Sequence, residues 1–209
     1  MTGIVPASLP FQSKLIPVLT IKNIEQASPL ARALYEGGLD VAEVTFRTPN
    51  AHEAIRAMKE AVPEMSVGAG TILSAADLDR ALSAGSDFII TPAMSPSLLM
   101  ALSGCNTPVY PGVGTAGEAQ TLFEHGYSTL KFFPAEASGG APFIKSIAAP
   151  LPHITFIPTG GINAALAPNY LSLPNVTAVG GSWMVDKTAL QNQDWDGITK
   201  SVTLALEHI

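Results

Sequence analysis

Cysteine is almost missing: Cys105 is the single example in 209 residues, so no internal disulfide can form and a multi-cysteine metal site is ruled out. A reducing cytoplasm is the expected location. Charge is also sparse, at 13% of residues against 47% hydrophobic, the reverse of the polar composition that keeps chains disordered. Positive charge is the scarcer sign, with 11 Lys plus Arg against 17 Asp plus Glu, a net charge of -6 and no basic cluster. Nucleic acid is excluded as a partner on that ground. No apolar run approaches the roughly 18 residues that could span a bilayer, and the opening MTGIVPASLP has neither a positive leader nor a long apolar segment. No membrane partner is expected. His52, His125, His153 and His208 are scattered without a second ligand at metal spacing, and the GVG of Gly112 to Gly114 is an isolated fragment of a dinucleotide fingerprint. The expectation is neither a metal nor a cofactor.

What the chain does have is alternation. Short apolar or β-branched runs recur at Leu15–Leu19, Val41–Phe46, Met65–Ala69, Phe88–Thr91, Pro108–Tyr110, Thr129–Phe133, Thr155–Ile157 and Val176–Val179. Segments with helical spacing lie between them, around Ile24–Glu36, Ala51–Ala61, Ala75–Ser83, Ser95–Ser103, Ala116–Glu124, Phe143–Ala148 and Ala164–Leu171, with a last one near Ile198–His208. Gly37, Gly85, Gly104 and Gly126 stand where helix C-caps are expected. Nothing divides the chain into parts. Eight β–α units predict a single α/β domain over residues 1–209, a parallel (β/α)8 TIM barrel, with a doubly wound sheet as the alternative. Ala7–Lys14 is predicted to add a short helix beneath the barrel.

Barrel chemistry sits where strands end and loops begin. In LKFFPAE, Leu130 to Glu136, side chains alternate, so Lys131 and Phe133 share one face while Leu130 and Phe132 share the other. If the second pair packs on helices, Lys131 points into the barrel mouth; otherwise it is a lysine snorkelling from an edge strand. Inside the barrel, desolvation disfavours the ammonium form and leaves an amine able to attack a carbonyl and form a Schiff base. AEVTFRT, Ala42 to Thr48, supplies the proton-moving partner that such chemistry needs: Glu43, Thr45 and Arg47 alternate with Val44 and Phe46. Glu43 would then lie inside the barrel, and Arg47 at its rim would offer a guanidinium fork to a substrate carboxylate. The competing reading is a surface Glu43–Arg47 ion pair.

TGGI, Thr159 to Ile162, follows the seventh run and GGS, Gly180 to Ser182, follows the eighth. Phosphate sites in such barrels are built from those two loops, where glycines let backbone N–H groups approach an anion and Ser182 can add a hydroxyl. Each pair alone reads equally as turn punctuation; together they predict a phosphorylated substrate. GAGT, Gly68 to Thr71, and TPA, Thr91 to Ala93, end the third and fourth runs, so Thr71 and Pro92 are candidates to line the pocket, or ordinary loop residues.

Taken in order, AEVTFRT, GAGT, ITP (from Ile90), LKFFPAE, PTGGI (from Pro158) and GGSW (from Gly180) resemble the 2-keto-3-deoxy-6-phosphogluconate (KDPG) aldolases, which overlap in sequence with the 4-hydroxy-2-oxoglutarate (KHG) aldolases. The resemblance spans nearly the whole chain. It implies a class I aldolase on a (β/α)8 barrel, a homotrimer needing no metal, acting on a phosphorylated 2-keto acid and releasing pyruvate. It makes Lys131 the Schiff-base lysine and Glu43 the proton shuttle. Arg47 and Thr71 would hold the pyruvate end, Pro92 and Phe133 would wall the pocket, and Gly160, Gly161, Gly181 and Ser182 would hold the phosphate. The chain departs from the family pattern at Gly114 and Ala116, where Ala and Pro are more usual, and at Pro142 after the lysine strand. Within the resemblance, cleavage of 4-hydroxy-2-oxoglutarate or of the 6-phosphogalactonate epimer is the alternative to KDPG; outside it, an isomerase or epimerase using Glu43 as base, and a non-catalytic phosphometabolite binder, are the rival readings.

Overall fold

The computed structural model describes residues 9–209 and is a parallel (β/α)8 barrel. Strands β1 (Leu15–Leu19), β2 (Val41–Thr45), β3 (Ser66–Gly70), β4 (Ile89–Ile90) and β5 (Val109–Tyr110) pair in sequence order, and β9 (Val179–Gly181) pairs with β1 on its other side. Strands β6 (Gly112–Val113), β7 (Thr129–Phe132) and β8 (Thr155–Pro158) continue the ring. Proline cannot donate to a ladder, so Pro111 splits the fifth strand into β5 and β6, yet its carbonyl still accepts from the Lys131 N–H at 2.9 Å. Parallel bridges Phe156 to Val176 and Thr159 to Gly180 close the ring between β8 and β9.

The helices on the outside are α1 (Ala27–Glu36), α2 (Ala51–Ala61), α3 (Ala75–Ser83), α4 (Pro96–Leu102), α5 (Ala116–Glu124), α6 (Gly140–Ile147), α7 (Ala167–Leu171), α8 (Lys187–Gln191) and α9 (Trp195–Glu207). Several start at a side chain that satisfies a free N–H: Ser74 caps α3, Ser95 caps α4, and Thr115 with Glu118 forms a reciprocal capping box on α5. The Gly114–Ala116 departure falls on this box, with Glu118 also accepting from the Gly114 N–H at 2.8 Å. Pro142 lies in the first turn of α6, where a missing N–H breaks no helical bond. Among the described residues, no helix is long and apolar enough to cross a membrane.

Two apolar layers follow from strand alternation. Ala42, Val44, Leu130, Phe132 and Phe156 face the helices and pack with Leu30, Leu34, Ile55, Met58 and Ile144. Ile16, Val41, Phe88, Ile90, Tyr110, Ile157 and Ala178 fill the barrel interior together with Phe11. Here the sequence expectation is corrected: Leu9–Lys14 forms no helix, and Ala7 and Ser8 lie outside the described residues. The Gln12 and Ser13 N–H groups donate to the Asp40 carboxylate at 2.7 and 3.0 Å, and the Ser13 hydroxyl donates to it as well. Held this way, the segment sets the Phe11 ring 5.4 Å from Phe88, which in turn lies 6.0 Å from Tyr110. The stack plugs the N-terminal end of the barrel. Along β2 the inward side chains run Val41, Glu43, Thr45, from apolar floor to polar mouth.

Candidate active site

Lys131 and Glu43 meet inside the ring, 88 residues apart in sequence, from β7 and β2. Lys131 Nζ donates to Glu43 Oε1 at 3.0 Å and to Oε2 at 3.4 Å. Both residues are nearly sealed from solvent, at 4% and 1% exposure. Glu43 therefore pairs with the lysine; Arg47 is exposed, two residues past the end of β2, and has no ion-pair partner among the described residues. An amine and a carboxylate at hydrogen-bond distance can exchange a proton, and burial keeps water from competing for either.

The neighbouring residues assemble through backbone register. Lys131 pairs with Gly112 on one side and Ile157 on the other, and the Gly112 N–H donates to Thr91 Oγ1 at 3.0 Å, which brings the end of β4 and Pro92 beside the lysine strand. Phe133 lies with its ring centroid 5.5 Å from Lys131 Nζ, a cation–π distance. The same ring packs on Gly160: a Cβ there would lie 3.2 Å from two of its carbons. Gly160 and Gly161 take φ of +104° and +80°, the left-handed region that other residues enter at a cost, so the loop has the glycines its shape demands. Thr159 bridges to Gly180, which joins the two glycine loops, and the Trp183 ring lies against Gly181. Ser182 is exposed one residue past β9. Thr71 follows β3 with φ +59°, an unusual conformation for a β-branched residue and a common mark of a functional position.

Some participants escaped the sequence reading. Gly70 approaches Glu43 so closely that a Cβ would stand 2.6 Å from Glu43 Cγ and Cδ. Thr159 is buried, shares the inward face with Ile157, and its hydroxyl has no partner among the described residues; period-two alternation was the signal available for it. Thr45 faces inward as expected, but its hydroxyl is engaged with the Leu19 carbonyl at 2.8 Å. Tyr110 lies in the interior with a hydroxyl that has no partner among the described residues, and burial pushes its phenol well above the ordinary value. No group of three or more His, Cys, Asp or Glu that could hold a metal occurs among the described residues.

Comparison with known proteins fits this geometry. The KDPG and KHG aldolase family model matches residues 8–201. A KHG/KDPG aldolase of Escherichia coli (strain K12) is 43% identical over 193 residues, covering 92% of this chain and 91% of the relative. The KDPG aldolase of Legionella pneumophila, solved with pyruvate captured at low pH as a covalent carbinolamine intermediate, superposes with a TM-score of 0.90 at 41% identity, covering 93% of this chain and 95% of that one. The 2-keto-3-deoxy-6-phosphogluconate aldolase of Zymomonas mobilis ZM4, solved with 3-phosphoglycerate, gives 0.89 at 41% identity, covering 95% and 93%. The chain belongs to the KDPG and KHG aldolase family and is a carbon–carbon lyase.

Proposed function

We propose that this aldolase cleaves 2-keto-3-deoxy-6-phosphogluconate to pyruvate and glyceraldehyde 3-phosphate through a Schiff base on Lys131. The observation that carries the proposal is the buried Lys131–Glu43 contact at 3.0 Å. The uncharged amine adds to the C2 ketone, and the resulting carbinolamine loses water to give an iminium, with Glu43 carrying the protons that these steps release and consume. Glu43 then takes the proton of the C4 hydroxyl. The C3–C4 electron pair flows to the iminium nitrogen, glyceraldehyde 3-phosphate leaves as the aldehyde, and an enamine remains. Protonation at C3 and hydrolysis of the imine free pyruvate and restore the amine.

Arg47 and Thr71 are assigned to the substrate carboxylate, and Pro92 and Phe133 to the pocket walls. Gly160, Gly161, Gly181 and Ser182 are assigned to the phosphate. Positive φ at the two loop glycines and the bridge joining both loops support the last assignment. The family resemblance supports a single-domain homotrimer acting in the cytoplasm, which sedimentation and cell fractionation would check. Borohydride added with pyruvate tests the covalent step: the Lys131 peptide should gain the mass of pyruvic acid less one oxygen atom. Lys131→Ala should lose both adduct and turnover, and near-normal turnover by that variant would reject the mechanism. An isomerase or a simple binder would form no adduct.

A further inference from the structure

We infer that Tyr170 is a positioning residue that holds the Glu136 carboxylate away from the phosphate loop, so that the loop meets the stem of Glu136 rather than its charge. The inference rests on the assignment of the substrate phosphate to the glycine loop. Glu136 follows the lysine strand, and its backbone N–H donates to the Gly160 carbonyl at 3.1 Å, while the Ala135 N–H donates to the Thr159 carbonyl at 2.8 Å. The loop and the segment after Lys131 are thus stitched together. A Cβ on Gly161 would lie 2.8 and 2.9 Å from Glu136 Cβ and Cγ, and no carboxylate oxygen is among its three nearest atoms, the third being Cα at 4.0 Å.

An acidic side chain so close to an anion site would repel a phosphate wherever its carboxylate swung toward the loop. Its other end is tied down. The Tyr170 hydroxyl, on α7, donates to Glu136 Oε1, and Tyr170 itself is buried at 1% exposure. Burial, and then the bond and charge of Glu136, push the Tyr170 phenol above its ordinary value and keep it a donor. On the side of Gly140, a Cβ would lie 3.3 Å from Glu136 Oε1 and 3.4 Å from the Tyr170 hydroxyl. Glu136 and Tyr170 both line a cavity of about 370 Å³ together with Gly140, Pro142, Leu166 and Asn169.

Tyr170→Phe frees the carboxylate and should raise KM for the phosphorylated keto acid by about threefold to tenfold at low salt, an effect that shrinks as salt screens the charge. Its kcat/KM for unphosphorylated 4-hydroxy-2-oxoglutarate should stay at the wild-type level. Adding Glu136→Gln should restore KM, because the liberated group no longer carries charge. A purely structural role would not respond to salt or be rescued by removing charge. An unchanged KM in Tyr170→Phe, or no recovery in the double variant, overturns the inference. If Tyr170→Phe does not fold, Glu136→Gln decides alone: KM at or below wild type supports the inference, and a raised KM overturns it. Failure of the underlying assignment reads differently: the wild-type enzyme would then show no preference for the phosphorylated substrate.

Discussion

Replacing Gly70 with alanine adds one methyl group to β3 and changes no ionisable residue, yet it should disable the enzyme. Gly70 has ordinary strand geometry, so alanine meets no backbone penalty there; the conflict is with Glu43. A new Cβ at 2.6 Å from Glu43 Cγ and Cδ must reach at least 3.4 Å, the lower edge of ordinary contact, so the carboxylate shifts by 0.8 Å or more. Glu43 is 1% exposed, so the shift is made against packed neighbours rather than into bulk water. Misplacing a catalytic group by about 1 Å costs on the order of 10²-fold, and overpacking costs about 1–3 kcal/mol of stability. Pyruvate release coupled to lactate dehydrogenase would measure kcat, and thermal melting would measure the stability. Gly117→Ala is the control, since a Cβ there meets nothing within 4 Å and sits in α5, where alanine is preferred. A Gly70→Ala enzyme with kcat within twofold of wild type would refute the placement of Glu43 as the proton carrier.

Glu43→Gln should reduce kcat about 10²-fold or more, and slow the build-up of the borohydride-trapped adduct in the same proportion, checked by rapid quench and mass spectrometry. Phe11→Ala opens the floor of the barrel and should cost about 3–5 kcal/mol, lowering the melting temperature on the order of 10 °C while kcat of the folded fraction holds. Burial of Asp40 pulls its carboxyl upward, but bonds from the Ser13 hydroxyl and the Gln12 and Ser13 N–H groups prevail and hold it below the usual range. The stability it adds is therefore present above about pH 4 and fades as acid protonates it; urea midpoints of Asp40→Asn should fall below wild type at pH 7, and the gap should narrow as the pH falls below about 4. Tyr110 is raised by burial, so its contribution is full below about pH 10 and is lost in stronger base. Tyr110→Phe removes a buried hydroxyl that has no partner among the described residues; it should equal or exceed wild type in urea at pH 7 and decline less steeply in alkali.

Local periodicity explains both what the sequence disclosed and where it stopped. Period-two alternation in LKFFPAE and AEVTFRT placed Lys131, Phe133, Glu43 and Thr45 on inward faces because those residues lie in or beside strands whose outward partners, Leu130, Phe132 and Val44, pack on helices. The same rule does not reach Arg47, which stands in the turn beyond β2 and is free of the pleat. Short elements defeat it as well: α8 covers only Lys187–Gln191, although Asp186 accepting from the Thr188 and Ala189 N–H groups marks its start. The helix expected over Ala7–Lys14 does not form across Leu9–Lys14, because the bonds that fix that segment run to Asp40 and Ser66, far along the chain. Contacts set by register are the least legible. Nothing within GAGT says that Gly70 will lie under a glutamate from β2, or within PAE that Glu136 will lean on Gly161; each requires knowing which residues face each other across a ladder or a loop. A motif can therefore name the candidate reacting groups, while the residues that pack against them emerge only from the closed barrel.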